Sequence, residues 1–161
     1  MTEREYNDCV DAHADTVYRF ILKNLRHEED ARDVVQSAFE KMWRNRDTVV
    51  SATAKSYLFT VAYHQMIDHI RKNKRYQLQE TFDEDARIAG GTQPGFKKEL
   101  ETALERLTPL QKSLVLLKDY EGYSYEEIAG ITALNANQVK VYLHRARIQI
   151  REFLVKKENI L

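Results

Sequence analysis

The sequence predicts an all-α protein of two small helical domains joined by a flexible linker, the second a helix-turn-helix domain. Three observations carry that expectation. Only five Gly and two Pro occur in 161 residues, so long stretches contain neither helix breaker. Apolar residues return every three or four positions along most of the chain. Gly90-Gly91-Thr92-Gln93-Pro94-Gly95 then concentrates turn chemistry at one place, which marks a boundary between two helical blocks.

The first helix is expected from Thr2 or Glu3, with Tyr6, Val10, Ala14, Val17, Tyr18, Ile21, Leu22 and Leu25 as its inner stripe. Arg26 and His27 close it in a tight joint. A second helix follows from about Glu28 to Asn45, apolar at Ala31, Val34, Val35, Ala38, Phe39 and Met42. Residues 47–55, β-branched and small, read as a loop. A third helix is expected over residues 56–72, ending in the basic run Arg71-Lys72-Asn73-Lys74-Arg75. Residues 1–76 form the first domain. Residues 77–95, acidic at Glu80, Asp83, Glu84 and Asp85, form the linker, and residues 96–161 the second domain.

The second domain opens near Phe96 with a helix carrying Leu100, Ala103, Leu104 and Leu107. Three helix starts are then written plainly. Thr108-Pro109-Leu110-Gln111, Ser124-Tyr125-Glu126-Glu127 and Asn135-Ala136-Asn137-Gln138 each put a capping side chain three residues before Glu or Gln. Such a box satisfies two orphaned N–H groups reciprocally, and Pro109 sits where its missing N–H costs nothing. The helix from Tyr125 to about Ile131 is short, and a long helix rich in Lys and Arg follows it. That is a helix-turn-helix layout, whose second helix enters the DNA major groove. Ala133 occupies the turn where Gly is common. A left-handed Ala costs on the order of 1 kcal/mol, so a different turn type is expected. Val139, Leu143, Ala146, Ile150 and Phe153 form the apolar face of the last helix, and Lys140, His144, Arg147 and Arg151 a basic one.

Composition narrows the setting. Formal net charge is zero, so a nucleic-acid partner must be met by a local basic patch. Cys9 is the sole cysteine, so no internal disulfide forms and a reducing cytoplasm is the simplest setting. Glu3-Arg4-Glu5 is unlike a signal peptide, and no apolar run approaches the roughly 18 residues that span a membrane.

The first domain sharpens the function. The stretch Asp30-Ala31-Arg32-Asp33-Val34-Val35-Gln36-Ser37-Ala38-Phe39-Glu40-Lys41-Met42-Trp43 resembles the most characteristic segment of region 2 of bacterial sigma-70-type factors. Residues 56–71, Ser56-Tyr57-Leu58-Phe59 through Ile70-Arg71, look like the helix such factors use at the −10 promoter element. Glu121-Gly122-Tyr123-Ser124-Tyr125-Glu126-Glu127-Ile128-Ala129 resembles their region 4. Two domains of this size without a large insertion match the extracytoplasmic-function (ECF) subfamily, and the resemblance covers nearly the whole chain.

The resemblance implies a subunit without catalysis, cofactor or metal, whose partners are core RNA polymerase (β′ clamp and β flap), promoter DNA and an anti-sigma factor, often membrane-anchored. It assigns polymerase binding to Asp33, Gln36, Ser37 and Glu40. It assigns −10 DNA to Tyr57, Thr60, His64, Arg71, Lys72, Lys74 and Arg75, where aromatic stacking supplies roughly 1–3 kcal/mol per unpaired base. It assigns −35 DNA to Lys118, Asn137, Gln138, Lys140, Val141, His144 and Arg145. The family commonly has Trp where Tyr57 stands and Asn where His64 stands. Trp43 reads as core or partner packing rather than a stacking platform.

Two other readings meet the same residues. A stand-alone helix-turn-helix regulator, binding an operator as a dimer, gives the Asp33–Trp43 stretch no purpose. An all-helical metal hydrolase would use His64, Asp68 and His69, but no further ligand or nucleophile is evident.

Overall fold

The computed structural model describes residues 1–77 and 96–160, with side chains for 1–74 and 97–156, and every regular element in them is helical. The chain divides into two compact units, Met1–Ile88 and Ala89–Leu161. The expected linker, residues 77–95, lies outside the described residues apart from Gln77.

In the first unit α1 spans Glu3–Leu25, α2 Glu28–Arg44 and α3 Ala54–Gln77, with a 3-10 turn at Ser51–Thr53 before α3. Thr2 caps α1, its hydroxyl accepting from the Glu5 N–H at 3.1 Å. The joint to α2 takes two residues. Arg26 turns left-handed (φ 59°) and its N–H donates to the Leu22 carbonyl, and His27 Nδ1 then accepts from the Asp30 N–H at 3.2 Å. Each half satisfies groups that a helix end otherwise leaves unpaired.

The three helices enclose Val17, Phe20 and Ile21 of α1, Ala31, Ala38 and Met42 of α2, and Leu58, Phe59, Ala62 and Met66 of α3. The Phe20 and Phe59 rings meet at 5.5 Å and 49°, a tilted pairing that suits their quadrupoles. The centre of a three-helix bundle is narrow. Val10, Ala14, Tyr18, Leu22 and Leu25 from the expected α1 stripe are therefore half-buried, while Cys9 and Phe20 are buried instead. Helix α3 begins two residues before the expected start and runs to Gln77. Its basic end stays helical because Lys and Arg are good helix formers.

In the second unit α4 is Phe96–Glu105, α5 Pro109–Val115, α6 Tyr125–Thr132 and α7 Ala136–Ile160. All three boxes form. Thr108 and Gln111 exchange bonds of 3.2 Å, Ser124 and Glu127 of 3.1 Å, and Asn135 and Gln138 of 2.8 and 3.0 Å. Leu104 and Leu107 pack with Leu114, Leu117, Ile128, Ile131, Val139 and Leu143 as the core.

Two features depart from the sequence pattern. Leu116–Tyr120 continues α5 as a π-helix, with the Glu121 N–H reaching back five residues to the Leu116 carbonyl. Ala133, for which another turn type is expected, is left-handed after all (φ 61°, ψ 29°). Ala133 is itself the C-cap residue that ends α6, and the Asn135–Gln138 box two residues on fixes where α7 begins, a geometry that overrides the residue's own preference.

Candidate nucleic-acid interface

The helix-turn-helix is built from α6, the turn at Ala133 and α7. Val139, Leu143 and Ala146 are at most 1% exposed. With 3.6 residues per turn, anchoring that stripe turns Asn137, Gln138, Lys140, Val141, His144 and Arg145 outward, and all six are exposed. The carboxamide of Gln138 is partly committed, its Oε1 accepting from the Asn135 N–H. Val141 is 46% exposed, an apolar side chain on an otherwise polar face.

Lys118 comes to the same edge from the π-helical turn. Its Nζ lies 4.6 Å from the Tyr125 ring centroid, and the Lys140 Nζ lies 5.3 Å from it. Arg147 departs from the basic face expected of it. Its guanidinium is held 2.8 Å from the Asp119 carboxylate, a bond that raises its pKa. Tyr125 and Asp119 are neighbours of these basic residues that the sequence pattern does not reveal. The box starting at Ser124 places Tyr125 at a helix start, but no local signal joins Asp119 to a partner 28 residues on.

In the first unit the aromatics of α3 separate. Phe59 is fully buried and Tyr63 is 5% exposed, so both are core. Tyr57 is half-buried, and its hydroxyl accepts from Asn45 Nδ2 at 3.1 Å. His64 is exposed and sits edge-on to Tyr63. Thr60 is half-buried and donates to the Ser56 carbonyl at 2.7 Å. Arg71, Lys72 and Lys74 are exposed, and the Arg75 side chain lies outside the described residues.

The loop before α3 is pinned by Val49, 6% exposed, and lifts Val50 to 63% exposure. Trp43 is committed to packing. Tyr6 meets it edge-on at 4.8 Å and Arg46 lies 4.0 Å over its ring. His64, Asp68 and His69 do not converge, since His69 turns its Nε2 to the Asp30 carboxylate at 3.1 Å.

Asp33, Gln36, Ser37 and Glu40 recur three and four residues apart on α2 and are all exposed, on the side away from Val34, Ala38 and Met42. Gln36 Nε2 donates to Glu40 Oε1 at 3.3 Å. The second unit also carries an open apolar groove of about 440 Å³ between α4, the π-helical turn and the C-terminal part of α7.

Two helical units, one with an outward polar and basic face on a helix-turn-helix and the other with a half-buried Tyr57, an exposed His64 and a basic helix end beside a loop, fit a DNA-binding protein of transcription. Residues 9–76 match the family description "Sigma-70 region 2" and residues 97–150 match "Sigma-70, region 4". The RNA polymerase sigma factor SigV of Bacillus subtilis is 31% identical over 153 residues, covering 93% of this chain and 91% of SigV. The ECF RNA polymerase sigma factor SigE of Mycolicibacterium smegmatis is 28% identical over 163 residues, covering 96% of this chain. The chain spans only 63% of that SigE. A sigma factor RpoE from Bartonella quintana, solved with the anti-sigma factor NepR, shares the fold at a TM-score of 0.79 and 22% identity. That likeness covers 94% of this chain and 97% of RpoE.

The chain belongs to the ECF branch of the sigma-70 family, the non-enzymatic RNA polymerase subunits that direct transcription initiation. Among the described residues, no helix is long and apolar enough to cross a membrane.

Proposed function

We propose that the chain is a dissociable cytoplasmic initiation subunit that joins core RNA polymerase and grips a promoter at two points. Residues 1–76 bind the β′ clamp through Asp33, Gln36, Ser37 and Glu40, an exposed acidic and polar face suited to a basic coiled coil. The same domain reads and helps melt the −10 element through Tyr57, Thr60, His64 and the basic end Arg71, Lys72, Lys74 and Arg75. Residues 77–95 tether it to residues 96–161. There Lys118, Asn137, Gln138, Lys140, Val141, His144 and Arg145 meet the −35 element.

The observation that carries this reading is the outward face of α7, where every α7 residue assigned to −35 DNA is exposed above a buried Val139–Leu143–Ala146 stripe. Val141 offers a base edge no hydrogen bond, so DNA shape supplies part of the specificity while backbone contacts set the register. The apolar groove on the second unit is the surface assigned here to the β flap. An anti-sigma factor, membrane-anchored or free, holds the subunit inactive. The structural neighbours support that partner, since RpoE was solved with NepR and CnrH with the cytosolic domain of CnrY.

In vitro transcription with purified core polymerase and a genomic template tests the whole proposal. Specific start sites are expected, and a chain that forms no complex with core enzyme and directs none would overturn it. Asp33→Lys combined with Gln36→Lys should weaken core binding while leaving the helical circular dichroism unchanged, because both side chains are exposed. Retained core binding by that variant removes the clamp assignment.

A further inference from the structure

We propose that Tyr125 is a positioning residue for DNA binding: its ring gathers the Lys118 and Lys140 ammonium groups and presents them together to the −35 phosphate backbone. This rests on the sigma-factor reading above and adds to it a residue that touches the cations instead of the DNA.

Three separate elements converge on the ring. Tyr125 is the first residue of α6, held by the reciprocal Ser124–Glu127 box directly before it. Lys118 arrives from the π-helical turn and Lys140 from the first turns of α7. With their Nζ atoms 4.6 and 5.3 Å from one centroid, the two ammonium groups are no more than about 10 Å apart. Two like charges would otherwise spread, and the negative face of an aromatic ring is what offsets their repulsion.

The ring does not use up the lysines. It accepts no conventional hydrogen bond, so each ammonium keeps its N–H donors for phosphate oxygens. A free lysine loses rotamer freedom when it binds, whereas one already resting on a ring has lost part of it beforehand. The π-helical turn contributes by its extra residue per turn, which resets the direction in which Lys118 leaves the backbone. The other cation close by, Arg147, is held by Asp119 at 2.8 Å and bonds to the Tyr125 phenol oxygen, so it engages the hydroxyl that Tyr125→Phe removes.

The experiment uses holoenzyme, reconstituted from the full chain and core polymerase, on a promoter fragment mapped by the transcription test above. Affinity is measured across a salt series for Tyr125→Leu, Tyr125→Phe, and both changes in a Lys118→Met/Lys140→Met background. Tyr125→Leu should weaken binding on the order of tenfold, since two lysines must then be ordered on binding. It should also flatten the dependence of log affinity on log salt, by up to roughly 0.9 for each phosphate that is no longer neutralised. Tyr125→Phe, which keeps the ring face, should stay within about twofold of wild type.

In the background without the two lysines, Tyr125→Leu should change nothing further. If it weakens binding as much there as in the wild type, Tyr125 touches DNA itself or merely supports the fold, and the proposal is overturned. Tyr125→Phe behaving like Tyr125→Leu overturns it too, because the hydroxyl would then be the active part. A wild-type chain that directs no specific starts defeats the sigma-factor reading before this test begins, so the two failures are distinguishable.

Discussion

Replacing Ala133 by Gly should stabilise the second unit. Ala133 holds φ 61°, ψ 29° at the end of α6, where a side chain meets the following carbonyl and costs about 1–2 kcal/mol. Glycine removes that strain but leaves the unfolded chain freer, which takes back about 0.4–1 kcal/mol. Because Ala133 is exposed, its methyl loses little packing. The net expectation is a gain of about 0.5–1 kcal/mol, or roughly 2–8 °C for a domain of this size. Hydrogen exchange of the α6 and α7 amides in the full chain is the assay, since it reports on this unit separately from the first. Gly122→Ala supplies the opposite sign. Gly122 also has positive φ, 75°, and an added Cβ would meet no atom within 4 Å, so its cost is backbone strain alone. If Ala133→Gly leaves protection unchanged while Gly122→Ala lowers it, the strain assigned to Ala133 is not there.

Three further outcomes are expected. Asn45→Ala and Tyr57→Phe each break one half-exposed hydrogen bond and should each cost under about 1 kcal/mol of first-unit stability. Because they remove the same bond, the double variant should cost no more than the larger single change, and simple additivity in urea melts would refute the pairing. Asp119→Asn and Arg147→Met should couple by about 0.2–1 kcal/mol, the range for a solvent-reachable ion pair, and the coupling should shrink in high salt. Tyr123 is buried, and desolvation first, then Glu121 and Glu127, raises its phenol pKa well above the ordinary value. Its folded pKa being raised, its contribution is intact below pH 10, where the unfolded phenol is also neutral, and is lost as pH climbs toward the folded pKa. Above pH 10 the second unit should therefore lose up to about 1.4 kcal/mol per pH unit through this group. Tyr123→Phe should flatten that alkaline slope in pH-dependent melts, and an unchanged slope would show that other groups carry it.

The helix starts were legible because their chemistry is local: Thr2, His27, Thr108, Ser124 and Asn135 each bond a group three residues away. The outward faces of α2 and α7 were legible for a related reason, since burying one stripe of a regular helix determines where its other side points. What escaped depends on contacts distant in sequence or on small energy differences. The π-helical turn at Leu116–Tyr120 has no composition of its own. Phe59 and Tyr63 are aromatic like Tyr57, and packing across the bundle, as where the Phe20 ring meets Phe59, separates core from surface. The rule that Ala avoids the left-handed region is sound, yet it concerns about 1 kcal/mol, which the Asn135 cap and the burial of Ile131 and Val139 on either side outweigh at Ala133. The split between Asp119–Arg147 and the ring-bound lysines arises entirely from where three elements meet.

The division into units Met1–Ile88 and Ala89–Leu161 has a consequence for synthesis on the ribosome. The first unit closes its core from helices that are neighbours in sequence, and helical domains with such local contacts fold in microseconds to milliseconds. Translation proceeds at roughly 5–20 residues per second, so the residues from Ala89 onward take roughly 4–15 seconds to appear. The face carrying Asp33 and Glu40 is therefore complete while the one carrying Lys140 and Arg145 has yet to be made. On the reading proposed above, a nascent chain therefore carries its clamp face and its −10 residues before its −35 face exists.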